Sequence, residues 1–347
     1  MSEMRYNVAT RDWVVIAPDR ARRPEDFHVH RTTTADRPAH RADCPFCPGS
    51  EENTPGETLR FSNAQDDWQV RSFPNRYPAL TPELEESRPK GNIFRRRQYG
   101  SGIHEVVAES RMHNVSLAVQ GESEIEQVLR AWRQRSQELY HRPELEHLVV
   151  FKNHGLAAGS SLEHPHSQII GLPVLPCSVR RKFDDAARFF QKHNVCVFCE
   201  MLKAELEDGL RVVAESYGFV AFVPFASETP FSVWILPKRH CHCFALVEST
   251  ELRDLAGVVK QVLGRLFVAL ENPDYNLIVR SANPPGPGSH FFHWYLSIVP
   301  RLNRMAGFEL GTGMFIRSSL PESDADYLRQ ADLGRLANPA GEVGPKS

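Results

Sequence analysis

The chain has 347 residues, 41% hydrophobic and 24% charged, so it can bury a sizeable core and is too apolar for wholesale disorder. At about 150 residues per domain, that length corresponds to roughly two domains. Lys plus Arg (41) nearly balance Asp plus Glu (43), and a net charge of −2 gives no general field for nucleic acid.

The start, Met1-Ser2-Glu3-Met4-Arg5, has no apolar run that would serve as a signal peptide. The longest uncharged apolar stretch, 216–227, contains a proline and is too short for a bilayer. The expectation is a soluble, cytoplasmic protein with neither a nucleic-acid nor a membrane partner. Trp13-Val14-Val15-Ile16 reads as a strand entering a basic turn, Pro18-Asp19-Arg20-Ala21-Arg22-Arg23-Pro24. Residues 27–43 and 81–102, the latter with Arg95-Arg96-Arg97, read as polar surface loops.

From there one pattern occurs twice. Residues 104–108 alternate like a strand, and 122–141 put Ile125, Val128, Leu129, Trp132, Leu139 and Tyr140 on one helical face. Pro143 ends that helix; a strand at 147–151, a Gly/Ser loop and a strand at 164–172 follow. The second copy has a strand at 231–237 and a helix at 249–270 with Leu252, Leu255, Val259, Val262, Leu263, Leu266 and Leu270 inward. Pro273, a strand at 275–279, a Pro/Gly loop at 283–289 and a His-bearing stretch at 290–300 complete it. This order predicts two similar domains, 1–172 and 196–336, joined by a linker at 173–195 that carries a helix at 178–193. Residues 337–347 read as a disordered tail.

Each copy has a Cys-x-x-Cys upstream, Cys44/Cys47 and Cys196/Cys199, among seven cysteines in all. In a reducing compartment this spacing favours metal over disulfides, and zinc held by thiolate and imidazole takes four ligands. The first half offers His104, His113, His154, His164 and His166; the second offers His240, His242, His290 and His293. Matching the two copies selects His113 with His164 and His240 with His293. The expected sites are therefore Cys44, Cys47, His113, His164 and Cys196, Cys199, His240, His293. Neither leaves a position open for water, so both metals are expected to be structural zinc, with iron an alternative in the second. Cys177, Cys241 and Cys243 remain unassigned; the last two flank His242 as rival donors.

The densest chemistry is Gly159-Ser160-Ser161-Leu162-Glu163-His164-Pro165-His166-Ser167-Gln168. Alternation on a strand would put His164, His166 and Gln168 on one face. One imidazole can then hold metal while the other attacks phosphorus, and the glutamine amide supplies a neutral donor. The Gly-Ser-Ser turn offers N–H groups and hydroxyls, including those of Ser160 and Ser161, to phosphate oxygens.

His164-Pro165-His166-Ser167-Gln168 resembles the His-x-His-x-Gln signature of the transferase branch of the histidine triad superfamily. Arg11-Asp12-Trp13-Val14-Val15-Ile16-Ala17-Pro18, Arg20-Ala21-Arg22-Arg23-Pro24, Cys44-Pro45-Phe46-Cys47, Phe73-Pro74-Asn75-Arg76-Tyr77-Pro78, Phe151-Lys152-Asn153 and Gly307-Phe308-Glu309-Leu310 extend the likeness over 11–316. Together they resemble the galactose-1-phosphate uridylyltransferase family, which has ADP-glucose phosphorylase as a relative. The resemblance implies an α+β fold: a tandem duplication of histidine-triad-like domains, each an antiparallel sheet flanked by helices, in a homodimer. It also implies a double displacement in which His166 attacks a nucleotide sugar, releases hexose 1-phosphate and carries the nucleotidyl group.

By motif position, Ser161 and Gln168 would bind phosphoryl oxygens and Asn153 would orient the phosphate. Arg20, Arg23 and Asn75 would line the nucleotide site, and Phe308 with Glu309 would face the hexose. The chain departs from the family pattern at Arg76, Asn303, Arg304 and Phe308, which leaves base and acceptor open. Uridylyl transfer from UDP-glucose to galactose 1-phosphate is the leading expectation, and ADP-glucose phosphorolysis is the alternative. A zinc-bearing nucleic-acid or protein adaptor is a third reading, which the balanced charge argues against.

Overall fold

In the computed structural model, residues 2–18, 37–82, 91–97, 99–283, 290–303 and 305–337 are described. The expectations for Arg20, Arg23, Arg304, most of the loop from residue 27, the Pro/Gly loop at 284–289 and the tail at 338–347 lie outside them.

The elements run in chain order as β1 (Glu3–Tyr6), β2 (Trp13–Ile16), β3 (Leu59–Ser62), β4 (Trp68–Pro74), β5 (Ile103–Ala108), α1 (Glu122–Tyr140), β6 (His147–His154) and β7 (His166–Leu172). Next come α2 (Cys177–His193), α3 (Val197–Asp208), β8 (Val212–Glu215), β9 (Phe219–Phe222), β10 (Val233–Pro237) and α4 (Ser249–Ala269). The chain closes with β11 (Tyr275–Arg280), β12 (Tyr295–Pro300), α5 (Gly307–Thr312), β13 (Phe315–Arg317) and α6 (Pro321–Arg329).

Ten strands form one sheet in the order β3-β4-β5-β7-β6-β11-β12-β10-β9-β8, every neighbouring pair antiparallel. Read inward from either edge, the order is the same five-strand pattern, and the two halves join where β6 pairs with β11 from Tyr275↔His154 to Val279↔Val150.

Period-two alternation gives this sheet two different faces. The long apolar stripes of α1 and α4 lie against each other over one face, burying Ile125, Val128, Leu129 and Trp132 from α1 and Leu252, Leu255, Val259 and Val262 from α4. Trp132 also donates its indole N–H to Ser167 Oγ at 2.7 Å, which ties α1 to β7. Truncating a buried tryptophan of this kind costs about 3–5 kcal/mol. The two helices begin with the same device: Glu124 accepts from the Gly121 N–H, and Glu251 from the Glu248 N–H, each at 2.8 Å.

Cross-strand register places the polar motif residues on the opposite face. His104, Val106 and Ala108 of β5 stand beside Ile170, Gln168 and His166 of β7. Phe151 and Asn153 of β6 and Asn276 of β11 continue the row.

A smaller sheet, β1-β2-β13, sits apart from the large one. Its Arg317 is fully buried against Asp324 of α6, whose carboxylate also accepts from the Phe231 N–H at 2.7 Å. Among the described residues, no helix is long and apolar enough to cross a membrane.

His147, at the start of β6, is buried with Nδ1 unpartnered, and burial pushes its pKa down to about 4. The unfolded chain, with an ordinary value near 6.5, binds the proton first as pH falls. This contribution to stability is therefore complete above about pH 6.5 and lost as the pH drops towards 4, amounting to about 2 kcal/mol at pH 5. Urea unfolding at pH 7 and pH 5 is expected to show that loss in the wild type and a smaller one in His147→Gln. An equal loss in both would remove His147 from the account.

Candidate active site and paired metal clusters

The first Cys-x-x-Cys turn is held from below by Arg71. Its buried guanidinium donates to the Pro45 carbonyl at 3.3 Å and to Thr54 Oγ1 at 2.9 Å, and lies 4.8 Å over the Phe73 ring. Cys44, Cys47, His113 and His164 are all buried, with donor atoms within 4.8 Å of one another. Cys47 Sγ is 3.5 Å from Nδ1 of both His113 and His164. His164 uses its other nitrogen, donating Nε2–H to the Ser110 carbonyl at 2.8 Å. A ring fixed in this way turns an unprotonated Nδ1 towards the thiolates, as a metal ligand must.

The second cluster repeats the plan. Cys196, Cys199, His240 and His293 gather their donor atoms within the same 4.8 Å. Cys199 Sγ is 3.2 Å from His240 Nδ1 and 3.5 Å from His293 Nδ1, while His293 Nε2–H donates to the Pro237 carbonyl at 2.9 Å. Ring centroids are 5.4 Å apart for His113/His164 and 5.3 Å for His240/His293. Two thiols and two Nδ1 atoms in so small a space, with the backbone holding the outer nitrogens, fit a tetrahedral zinc ion. His104, His154 and His242 stand outside both donor sets.

The halves differ two residues further on. After His164 comes His166, the first residue of β7; after His293 comes Tyr295, the first residue of β12. Tyr295 is buried among Trp234 and Phe198, with ring centroids 4.4 and 5.6 Å away, so aromatic packing fills the second copy. Sequence reasoning did not draw this asymmetry, although the aligned pair His164/His293 already contained it.

His164 itself precedes the strand, contrary to a strand starting at 164. Pro165 has no N–H to enter the ladder, and its carbonyl instead accepts from the Glu109 N–H at 3.0 Å. His164 therefore turns into the metal cluster while His166 lies on the open face.

His166 donates Nδ1–H to the His164 carbonyl at 2.8 Å, which leaves the lone pair on Nε2. Burial pushes its pKa below the ordinary value and keeps the ring neutral. Phe46, between the two cysteines, packs against the ring with centroids 5.5 Å apart. Behind the strand, the buried Lys152 ammonium donates to Glu109 at 2.6 Å and to the His166 carbonyl at 3.1 Å. In the sequence, Lys152 stands out only as part of Phe151-Lys152-Asn153. Its burial comes from a long-range ion pair that no local pattern reveals.

His166 lines a cavity with Asn153, Ser160, Ser161, Leu162 and Glu163. Asn153 accepts from Asn276 Nδ2 at 2.8 Å, so its own NH2 is turned towards the Gly159 loop. That loop starts at Gly155, whose φ of 84° brings it so close to Asp274 that a Cβ would overlap the carboxylate. Asp274 in turn accepts from the Ala157 N–H at 2.6 Å. Ser160 spends its hydroxyl on the Leu162 carbonyl at 2.8 Å, whereas Ser161 is exposed at the cavity wall.

Gln168 accepts from His104 at 2.7 Å, and Asn75 Nδ2 approaches the same His104 nitrogen at 3.1 Å. Phe308 and Glu309 lie elsewhere, on α5 beside β13. There Glu309 accepts from the Ala306 N–H at 3.0 Å and caps its own helix. The cavity walled by His166 does not include them.

A family model described as the N-terminal domain of galactose-1-phosphate uridyl transferase matches residues 1–176. The chain is 33% identical to an ADP-glucose phosphorylase of Arabidopsis thaliana, over 95% of this chain and 93% of that protein. It is 29% identical to a galactose-1-phosphate uridylyltransferase of Thermotoga maritima, over 96% of this chain and 99% of that one. Its fold is similar to the crystal structure of an Arabidopsis thaliana ADP-glucose phosphorylase with bound ADP-glucose, at a TM-score of 0.82, 32% identity and coverage of 96% and 99%. A structure of a uridylyltransferase gives 0.73 and 27% identity at the same coverage.

Proposed function

Because the chain belongs to the galactose-1-phosphate uridylyltransferase family, we propose that it passes a nucleotidyl group between a nucleotide sugar and a hexose 1-phosphate by way of His166. It is a hexose-1-phosphate nucleotidyltransferase. The observation that carries the proposal is the His166 ring at the cavity wall, held by its Nδ1–H on the His164 carbonyl so that the lone pair is left on Nε2.

In the first half-reaction Nε2 attacks the α-phosphorus. An N–P bond forms, the P–O bond to the sugar phosphate breaks, and hexose 1-phosphate leaves with the bonding pair. In the second, an anionic phosphate oxygen of the acceptor attacks the same phosphorus and the N–P electron pair returns to Nε2. Neither nucleophile has to lose a proton, so no general base is required. The His164 carbonyl, already accepting from Nδ1–H, stabilises the positive ring of the intermediate. The amide donors of Gln168 and Asn153, with Ser161 and the Ser160 loop, would meet the phosphoryl oxygens. Arg20, Arg23 and Asn75 are proposed for the nucleotide, and Phe308 with Glu309 for the hexose.

The two Cys/His sets would hold zinc, which would brace the loops on either side of each motif strand; the second set would also admit iron. Domains at 1–172 and 196–336, linked by 173–195, belong to the same proposal, supported by the repeated strand order and the paired clusters. So do a homodimer, supported by the exposure of Phe308 and Leu310 on α5, and a cytoplasmic location, in which four thiols would stay reduced.

For the substrates, UDP-glucose with galactose 1-phosphate is the first reading, supported by several uridylyltransferase relatives and by Pro165 within the motif. ADP-glucose with inorganic phosphate is the second, favoured by the 33% identity to the Arabidopsis phosphorylase and by the second cluster's all-Cys/His donors. Rates for UDP-glucose and ADP-glucose, each with galactose 1-phosphate or phosphate as acceptor, separate them. Turnover of UDP-glucose with galactose 1-phosphate at least about tenfold above the other pairs is expected. The reverse preference would replace the first reading with the second, and no turnover of either donor would overturn both.

A further inference from the structure

We propose that His104 is a positioning residue that locks the Gln168 amide with its NH2 towards the reacting phosphate. The proposal rests on nucleotidyl transfer through His166 and concerns a histidine that stands outside both metal-ligand sets.

His104 of β5 and Gln168 of β7 lie on the same sheet face, one diagonal step apart in register. His104 Nε2 is 2.7 Å from Gln168 Oε1. The direction of that bond follows from the other side of the ring. The Ala79 N–H donates to His104 Nδ1 at 3.0 Å, and a nitrogen that accepts carries no proton. The ring proton is therefore on Nε2, and the bond runs from His104 to the glutamine oxygen.

A glutamine amide is nearly symmetric in shape, so without a partner it can turn over and present either oxygen or NH2. Turned over, it would set an oxygen lone pair against a phosphoryl oxygen. The His104 donor excludes that state by claiming Oε1, and Gln168 Nε2 has no acceptor among the described residues. Asn75 is oriented in the same way: its Oδ1 accepts from the Tyr77 N–H at 2.9 Å. The His104 carbonyl accepts from the Asn75 N–H at 2.8 Å, which fixes β5 to this turn.

The test is a double-mutant cycle with three substitutions at position 104, two of which differ in where they place a donor while the third places none. Gln at 104 can put its NH2 near the former Nε2; Asn reaches only the Nδ1 position. His104→Gln is expected to keep kcat within about fivefold of wild type, while His104→Asn and His104→Leu lose about 10–100-fold with little change in KM. In a Gln168→Ala background the same His104 substitutions should cost less than about twofold, because the group they act through is gone. Equal losses in His104→Gln and His104→Asn, full activity in His104→Leu, or losses that simply add to that of Gln168→Ala would each overturn the proposal. Metal content and thermal melting identify a folding defect in any one variant, and the other two still decide the matter.

Intact mass after mixing with nucleotide sugar separates this proposal from the reading beneath it. His104→Leu is expected to acquire one nucleotidyl group more slowly than wild type. A wild type that acquires none would bring down the transfer mechanism, and this proposal with it.

Discussion

His166→Ala is expected to lower kcat for nucleotidyl transfer by at least about 10⁴-fold, because the residue is the nucleophile of the first half-reaction and the leaving group of the second. The loss should appear in both half-reactions when each is followed alone, since one nitrogen makes the N–P bond and later releases it. Stability should change far less. His166 is a small buried ring beside Phe46, and its removal opens a modest cavity worth about 1–3 kcal/mol. The cluster at Cys44 and Cys47 uses His164, not His166, so metal content should remain at the wild-type value. Isotope exchange between hexose 1-phosphate and nucleotide sugar in the absence of acceptor checks the first half-reaction, and metal analysis checks the fold. Transfer within tenfold of wild type would require a different nucleophile.

The second large effect is a difference between the two metal clusters. Cys44→Ser removes a thiolate from a buried set whose His164 lies two residues before the nucleophile and whose Phe46 packs on it. Breaking such a site should cost about 3–5 kcal/mol, seen as a melting temperature lower by roughly 5–10 °C. A ligand-shell defect beside the motif should also reduce kcat by about 10–100-fold. Cys196→Ser damages the equivalent set in the other half, where Tyr295 stands in the nucleophile's place inside an aromatic cluster. It should lose stability to a similar degree and kcat much less. Each variant should retain about one zinc of the two expected. Equal kcat losses would mean that the first cluster has no special link to the His166 strand.

These effects trace back to features that were unequally visible in the chain. The α1 and α4 stripes, the prolines that end them and the strands around them were legible because each is a local periodicity with its own stop signal. The two metal sets were legible for a different reason: duplication supplied an internal comparison that chose four histidines, two in each half, from nine. β3, β4, β8 and β9 were not legible. β3, β8 and β9 have four residues each, and β4 carries Arg71 inward, where the Glu57 carboxylate at 3.5 Å together with a carbonyl, a hydroxyl and aromatic rings makes a buried guanidinium tolerable. β1, β13 and α5 were likewise missed, being held by distant partners such as the buried Arg317–Asp324 pair.

Within the candidate site, alternation alone puts His166 and Gln168 on one strand face, but it does not reveal the groups around them. His104 reaches Gln168 across 64 residues of sequence, and Lys152 meets Glu109 across 43. Both contacts are products of the β5-β7-β6 strand order, which connects by crossovers that local patterns do not encode. The role of His104 also depends on a single backbone N–H, that of Ala79, which no local pattern ties to a histidine 25 residues away.

The most direct test of the account is the mass of the intact protein after mixing with UDP-glucose or ADP-glucose and no acceptor, followed by peptide mapping. One added nucleoside monophosphate per chain is expected, carried on the peptide that contains His166, absent in His166→Ala and discharged when a hexose 1-phosphate is added. No adduct with either nucleotide sugar while steady-state transfer proceeds, or an adduct that persists in His166→Ala, would contradict it.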